Sequence, residues 1–178
     1  MAASENGLVS MDTHEVRFTI LLWVTRLGRN ALSSLVPPLI PILAVALEYP
    51  LWQLGLLVTV FSGGSGVGQA PFGYLSDKYD RRYILPTGLG FAGMSYLLFA
   101  AAPRLGALLP PIEAVPFENT FLLMTTAMLF CGLGTSVVHP TLYPMISENI
   151  RDQNRGKVLG IFGSAAKVGD ASTPVIVG

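Results

Sequence analysis

Four polar side chains interrupt an otherwise apolar run near the start of the chain: Arg26, Arg29, Asn30 and Ser33. They stand at i, i+3, i+4 and i+7, so a helix would carry all four on one face. Guanidinium groups held side by side recognise carboxylates, phosphates and similar anions through charge-assisted hydrogen bonds. A second group, Asp77, Lys78, Asp80, Arg81 and Arg82, separates two long apolar segments. Acids and bases this close can form ion pairs that are made in one state and broken in another. Lys167 and Asp170 stand three residues apart. They can neutralise one another across a helical turn or take part in ion coupling or substrate binding. His139 precedes Pro140 and can either titrate near neutral pH or act as a hydrogen-bonded packing group.

The elements that must position these groups are membrane helices. Of the 178 residues, 51% are hydrophobic and only 12% are charged, against roughly 25% charged in soluble domains. Apolar stretches of about 20 residues, the length a helix needs to cross hydrocarbon, recur along the chain. The fold class expected is an all-α polytopic membrane protein of about five transmembrane helices. The spans are read at 17–46, 51–75, 82–102, 120–146 and 158–178. Residues 1–16 form a tail, and residues 17–178 form the helical bundle. Pro37, Pro38 and Pro41 bend the first span, and Pro140 and Pro144 bend the fourth. A short turn joins the first two spans at 48–50, a proline-rich loop runs from 103 to 119, and a polar connector runs from 147 to 157.

Basic residues fix the orientation, because Lys and Arg are retained on the cytoplasmic side. Arg17, Lys78, Arg81, Arg82, Arg151, Arg155 and Lys157 fall on one side of a five-span zigzag, and Arg104 falls on the other. A multi-pass protein of the cell membrane with a cytoplasmic N-terminus follows. Arg26 then lies nine residues into its span, about 13 Å deep at 1.5 Å per residue. A charge at such depth costs at least about 2.5–3.5 kcal/mol, so this face should look into a polar cavity. A structural ion pair with an acid on another helix would also satisfy it. So would snorkelling to the interface, were the span to begin later. Arg26, Arg29 and Lys167 against Asp170 leave the cavity net positive, which favours an anionic or zwitterionic solute.

Several function classes fall away. The formal net charge is zero, which gives no reason to expect a nucleic-acid partner. The lone Cys131 cannot build a disulfide framework, and with His14 and His139 it makes no spaced ligand set. The chain carries no H-E-x-x-H, G-x-S-x-G or G-x-x-x-x-G-K-S/T sequence. An enzyme, a metal site and an organic cofactor are therefore not expected, and an ion gradient remains as an energy source.

The stretch from Gly73 to Arg82 resembles the loop between the second and third helices of the major facilitator superfamily, G-x-x-x-D-R/K-x-G-R-R/K. Gly73, Leu75, Asp77, Lys78, Arg81 and Arg82 match it, and Asp80 stands where the family has glycine. Gly132 to Pro140, followed by Arg155 to Gly163, resembles the fosmidomycin-resistance-like branch of facilitator efflux proteins. Gly160, Gly169, Pro174 and Gly178 are similar to the antiporter pattern G-x8-G-x3-G-P-x2-G-G, with Thr173 and Val177 in place of two glycines. Met128 occupies the position of an arginine that many proton-coupled members carry.

The resemblance implies twelve helices built from three-helix repeats, of which five are present here. It implies a secondary active transporter that moves a small solute by alternating access, in the manner of an efflux antiporter. Asp77 would latch the cytoplasmic side, with Arg81 its partner. The chain ends as its fifth span reaches crossing length, so the expectation is an incomplete N-terminal half that needs a six-helix C-terminal half in the same or another chain. The competing expectation is a non-transporting membrane subunit or a truncated remnant. Gly64 and Gly68 would admit a close helix, either from the second half or from within the first.

Overall fold

The computed structural model describes residues 11–110 and 117–177. These residues form seven helices: α1 (Thr13–Ser33), α2 (Val36–Leu47), α3 (Leu51–Lys78), α4 (Arg81–Leu108), α5 (Asn119–Thr135), α6 (Val138–Asn149) and α7 (Asp152–Val177). Four helical stretches are long and apolar enough to cross a membrane: Thr13–Leu47, Leu51–Lys78, Arg81–Leu108 and Asn119–Asn149. α7 has 26 residues, length enough to cross, with Lys167 and Asp170 interrupting its apolar sequence. The chain is an all-helical, multi-pass membrane protein.

Two of the four spans are broken, and proline accounts for both breaks. Pro37 and Pro38 lack the N–H groups that would reach back to the carbonyls of Ser33 and Ser34, and α1 stops at Ser33. The helix restarts at Val36, where prolines in a first turn cost little. Pro140 likewise leaves the carbonyl of Ser136 without its donor, and α5 gives way to α6 across Ser136 and Val137. The expected bends are interruptions.

Other boundaries move outward. α1 reaches back to Thr13, inside the stretch read as a tail. α4 continues through Pro103 to Leu108, because Ala100 to Ala102 before the proline and Arg104, Leu105, Ala107 and Leu108 after it are good helix formers that outweigh Gly106. The loop expected from 103 is shorter by that much, and its Glu113 lies outside the described residues. The polar connector expected at 147–157 contracts to Ile150 and Arg151, since its charged residues extend α6 and α7. Charged residues do not end a helix once it has left hydrocarbon.

The helices divide into two compact units, residues 36–141 and residues 1–35 with 142–178. In the first of these, α5 is the central helix and packs on both α3 and α4. Lipid tails are as apolar as leucine, so helices in a membrane associate by close contact between small residues, not by leaving water. Gly132 provides that contact with α3: a Cβ there would meet the Phe61 carbonyl oxygen and come within 2.9 Å of the Ser65 nitrogen. Gly64 faces back, its Cβ position 2.8 Å from the Leu129 oxygen, and Gly68 meets the Ser136 hydroxyl. Of the two partners open to Gly64 and Gly68, α5 of the same unit is the one found.

Gly134 is two residues on from Gly132, about 200° around the helix, and so points the other way. A Cβ there would sit 2.7 Å from the Gly88 oxygen and 2.8 Å from the Ala92 nitrogen of α4. Leu54, Leu57, Met124, Met128 and Cys131 are fully or almost fully buried around these contacts. At the far end of α3 and α5, the Tyr49 hydroxyl donates to Glu118 Oε2 at 2.9 Å. Burial, and then that bond, push the Tyr49 phenol up to about 12.

Gly132→Val in the purified chain should be destabilising by roughly 1–3 kcal/mol, the range for overpacking a filled contact. Gly66→Ala should be neutral or slightly stabilising, because nothing lies within 4 Å of its Cβ position. Thermal unfolding of both variants in detergent checks the contrast, and equal midpoints would contradict the packing described.

Candidate functional site

The polar groups of the second unit gather along α1 and α7. α1 begins with Asp12 as N-cap and Glu15 closing a capping box, Glu15 Oε2 accepting from the Asp12 N–H at 3.2 Å. Glu15 is almost fully buried, 4% exposed. Its carboxylate also accepts from the Arg151 backbone N–H at 3.0 Å, from Arg151 Nε at 3.1 Å and Nη2 at 2.9 Å, and from Asn154 Nδ2 at 2.8 Å. Arg151 precedes α7 and Asn154 lies in its first turn. One acid thus caps two helices, as a negative charge at a helix N-terminus should. Through the hydrogen bond first and the charges second, Glu15 holds the Arg151 guanidinium more firmly protonated.

Further along, Gly169 of α7 lets the two helices touch: its Cβ position is 2.7 Å from the Leu27 oxygen and 2.9 Å from Asn30 Cβ. Asp170, the next residue, accepts from Asn30 Nδ2 at 3.0 Å and from Ser34 Oγ at 2.7 Å. Asn30 in turn accepts from Arg29 Nη1 at 3.3 Å, and Ser33 Oγ donates to the Arg29 carbonyl at 2.8 Å. The Arg26 guanidinium carbon lies 4.9 Å from the centre of the Phe162 ring. Tyr143 of α6 meets that ring edge-on, 5.7 Å between centres at 78°.

Arg26, Arg29, Asn30, Ser33 and Asp170 are therefore neighbours on α1 and α7. α1 starts four residues earlier than Arg17, so Arg26 lies 13 residues along it, about 20 Å at 1.5 Å per residue. The pairing of Lys167 with Asp170 across a turn is not what forms: Asp170 is bonded to Asn30 and Ser34, while Lys167 is exposed. His139 belongs to the other unit and is half-buried in the first turn of α6. Of the antiporter-like residues, Gly160 is exposed and Gly169 is at the α1 contact. The Pro174 side chain and Gly178 lie outside the described residues. Met128 is fully buried in its unit's core, a place for an apolar side chain.

The charged turn of the first unit is built by helix ends. α3 finishes at Lys78, and Asp80 is the N-cap of α4, its side chain accepting from the Arg82 N–H at 2.9 Å. Asp80 has φ −64°, so this position does not require glycine, and the cap gives the aspartate a use there. Arg81 Nη2 lies 3.7 Å from Asp77 Oδ1, and Arg81 Nε donates to the Ser76 carbonyl at 3.3 Å. Asp77 is 76% exposed, so that pair is a weak one in this chain. Lys78 sits near the rings of Tyr74 and Tyr79, and Arg82 is exposed. Gly73 packs beside Pro140. The Ser76 hydroxyl, bonded to the Gly73 carbonyl at 2.9 Å, also points at the Pro140 carbonyl at 3.5 Å, which Pro144 leaves without its helical donor.

With several apolar crossings, a charged turn between the second and third, and polar groups buried on the first, comparison with known sequences decides the family. Residues 19–178 match the Major Facilitator Superfamily. The chain belongs to that superfamily. The fosmidomycin resistance protein of Escherichia coli is 27% identical over 153 residues, 86% of this chain and 34% of that protein. The uncharacterized MFS-type transporter YfnC of Bacillus subtilis is 25% identical over 88% of this chain and 34% of its own length. The bacillibactin exporter of Bacillus subtilis is 23% identical over 81% of this chain and 34% of its own. This facilitator chain spans about a third of the length of these relatives. No solved structure matches it.

Glu15, Asn154, Phe162 and Tyr143 were not singled out by sequence reasoning, and Arg151 figured only among the basic residues that orient the chain. The spacing of Asp12 and Glu15 is a capping-box signature that locates the true start of α1 and so could have pointed to Glu15. In this facilitator chain Glu15→Gln should lower the thermal unfolding midpoint by several degrees, while Lys157→Gln, an exposed change on the same helix as Asn154, should leave it unmoved. Equal midpoints for the two variants would show that the Glu15 cluster does not hold α1 to α7.

Proposed function

We propose that this chain is the N-terminal portion of a secondary active transporter that moves a small anionic or zwitterionic solute by alternating access, working as an efflux antiporter. The observation that carries this reading is the polar cluster of Arg26, Arg29, Asn30 and Asp170 on facing helices of a chain otherwise fit for lipid. Charges at membrane depth are costly and mark solute or ion pathways. Two arginines against one aspartate leave the cluster net positive. Lys167, on the same helix as Asp170, is a further proposed solute or ion group, and His139 is proposed separately as an ion-coupling group of its own unit. The names of two relatives, a resistance protein and an exporter, support the outward direction.

The basic residues support a cell-membrane protein with its N-terminus in the cytoplasm. On that orientation the turn with Gly73, Asp77, Lys78, Arg81 and Arg82 is cytoplasmic. There Asp77 acts as a latch, closing toward basic groups or helix N-termini of a six-helix C-terminal half in the same or another chain. The weak Asp77–Arg81 pair suits such a role, since an exposed pair costs little to open. Gly160, Gly169, Pro174 and Gly178 are read as the remnant of the antiporter pattern, with Gly169 giving the close approach of α7 to α1.

Arg26→Gln and Arg29→Gln, made in the protein that carries this chain, should each lower anion transport into everted membrane vesicles at least about tenfold, as expected when a buried charge-assisted contact is lost. Transport of every tested anion at the parental rate in both variants would overturn the reading.

A further inference from the structure

We infer that the groove between the end of α3 and the start of α4 holds one anionic phospholipid, with an acyl chain in the groove and the phosphate at Lys78 and Arg82. The inference does not depend on the solute proposed above, whose arginines lie on α1.

The groove encloses about 420 Å³ and lies wholly within the unit of residues 36–141. Leu75 and Tyr79 at the end of α3, and Tyr83, Ile84, Gly88 and Phe91 of α4, line it. Its floor is the contact of α4 with α5, where a Cβ on Gly88 would come within 2.6 Å of Val137 Cγ1. Tyr79, Tyr83 and Phe91 are exposed, so the groove opens at the surface of two membrane spans. From Tyr83 to Phe91 α4 rises about 12 Å at 1.5 Å per residue. One leaflet is half of a hydrocarbon core of roughly 30 Å. The groove thus runs most of the depth of a leaflet, which is the reach of an acyl chain.

The polar end supplies the charge that a phosphate needs. Lys78 Nζ lies 5.9 Å from the centre of the Tyr79 ring and 6.0 Å from that of Tyr74. Arg82 is exposed and stands next to Tyr83. Two acids are near, and each is engaged: Asp80, which lines the groove, accepts from the Arg82 N–H at 2.9 Å, and Asp77 lies 3.7 Å from Arg81. Lys78, Arg81 and Arg82 against Asp77 and Asp80 leave the turn net positive. Exposed tyrosines between an apolar groove and a basic turn mark the headgroup level, where basic residues attract anionic lipid. A second copy docked on this groove by two-fold symmetry would set hollow against hollow and bring the same bases together. A lipid fills the hollow and neutralises the bases at once.

The experiment is native mass spectrometry of the protein that carries this chain, given equal amounts of palmitoyl-oleoyl phosphatidylglycerol and of the phosphatidylcholine with the same chains. One phosphatidylglycerol should be retained with at least about fivefold preference, the contribution of a single basic residue at the headgroups. Lys78→Gln combined with Arg82→Gln should bring the two lipids to parity. Thr87→Trp, at an exposed position lining the groove, should displace the retained lipid by filling its place. Lys157→Gln, an exposed change in the other unit, should keep the parental preference. Equal retention of the two lipids by the parent would overturn the inference. A preference that survives the double variant, or is lost in Lys157→Gln, would overturn it by placing the lipid elsewhere. Phosphatidylglycerol still held by Thr87→Trp protein with parental helical circular dichroism would overturn it too, and the double variant decides alone where Thr87→Trp does not fold. A parent that retains no lipid would overturn it by leaving the groove to another helix or a second copy.

Discussion

Backbone contact at Gly132 and Gly134 is the constraint on which the unit of residues 36–141 depends. In water, helices come together because apolar surface leaves solvent; in lipid that force is absent. What remains is contact close enough for many small dispersion terms to add, and a side chain at either glycine would hold the helices apart. The two glycines point to opposite sides of α5, so one short sequence fixes α3 and α4 together. Leu54, Leu57, Met124 and Met128 fill the space that this approach encloses.

The unit of α1 and α7 is held by another means. Glu15 gathers the start of α1 and the start of α7 with four hydrogen bonds from Arg151 and Asn154. Gly169 and Thr173 then bring α7 against the far part of α1, where Asp170 accepts from Asn30 and Ser34 and the Thr173 hydroxyl lies 3.3 Å from the Ala31 carbonyl. Polar pairing in low dielectric is strong when every group is satisfied and costly when one is not. A helix pair tied at both ends in this way positions Arg26, which lies between the ties, on the Phe162 ring. The same arrangement that secures the helices fixes the candidate binding group.

Much of this was legible in the sequence. Apolar segments of spanning length gave the helices, and the spacing of Arg26, Arg29, Asn30 and Ser33 gave a common face. The departure at Asp80 was readable as a residue suited to a turn, but its use as the α4 cap required the geometry. Helix ends were read too short, because hydropathy marks where hydrocarbon ends and says little about where a helix ends; α3, α4 and α7 all continue into charged sequence. Proline counts gave bent spans without telling that Pro37, Pro38 and Pro140 break them. The contacts missed are those between residues distant in sequence, such as Glu15 with Arg151 and Arg26 with Phe162. No periodicity within one helix reveals which residue of another will meet it.

The central claim is that the polar face of α1 borders water and not lipid. The direct measurement is the reaction of Ser33→Cys with a membrane-impermeant thiol reagent, in native membranes, with and without a bound anion. Cys131, fully buried, serves as the unreactive internal reference. The account predicts labelling at position 33 that is slowed when an anion occupies the site. A cysteine at position 33 that stays as unreactive as Cys131 in folded protein would contradict it.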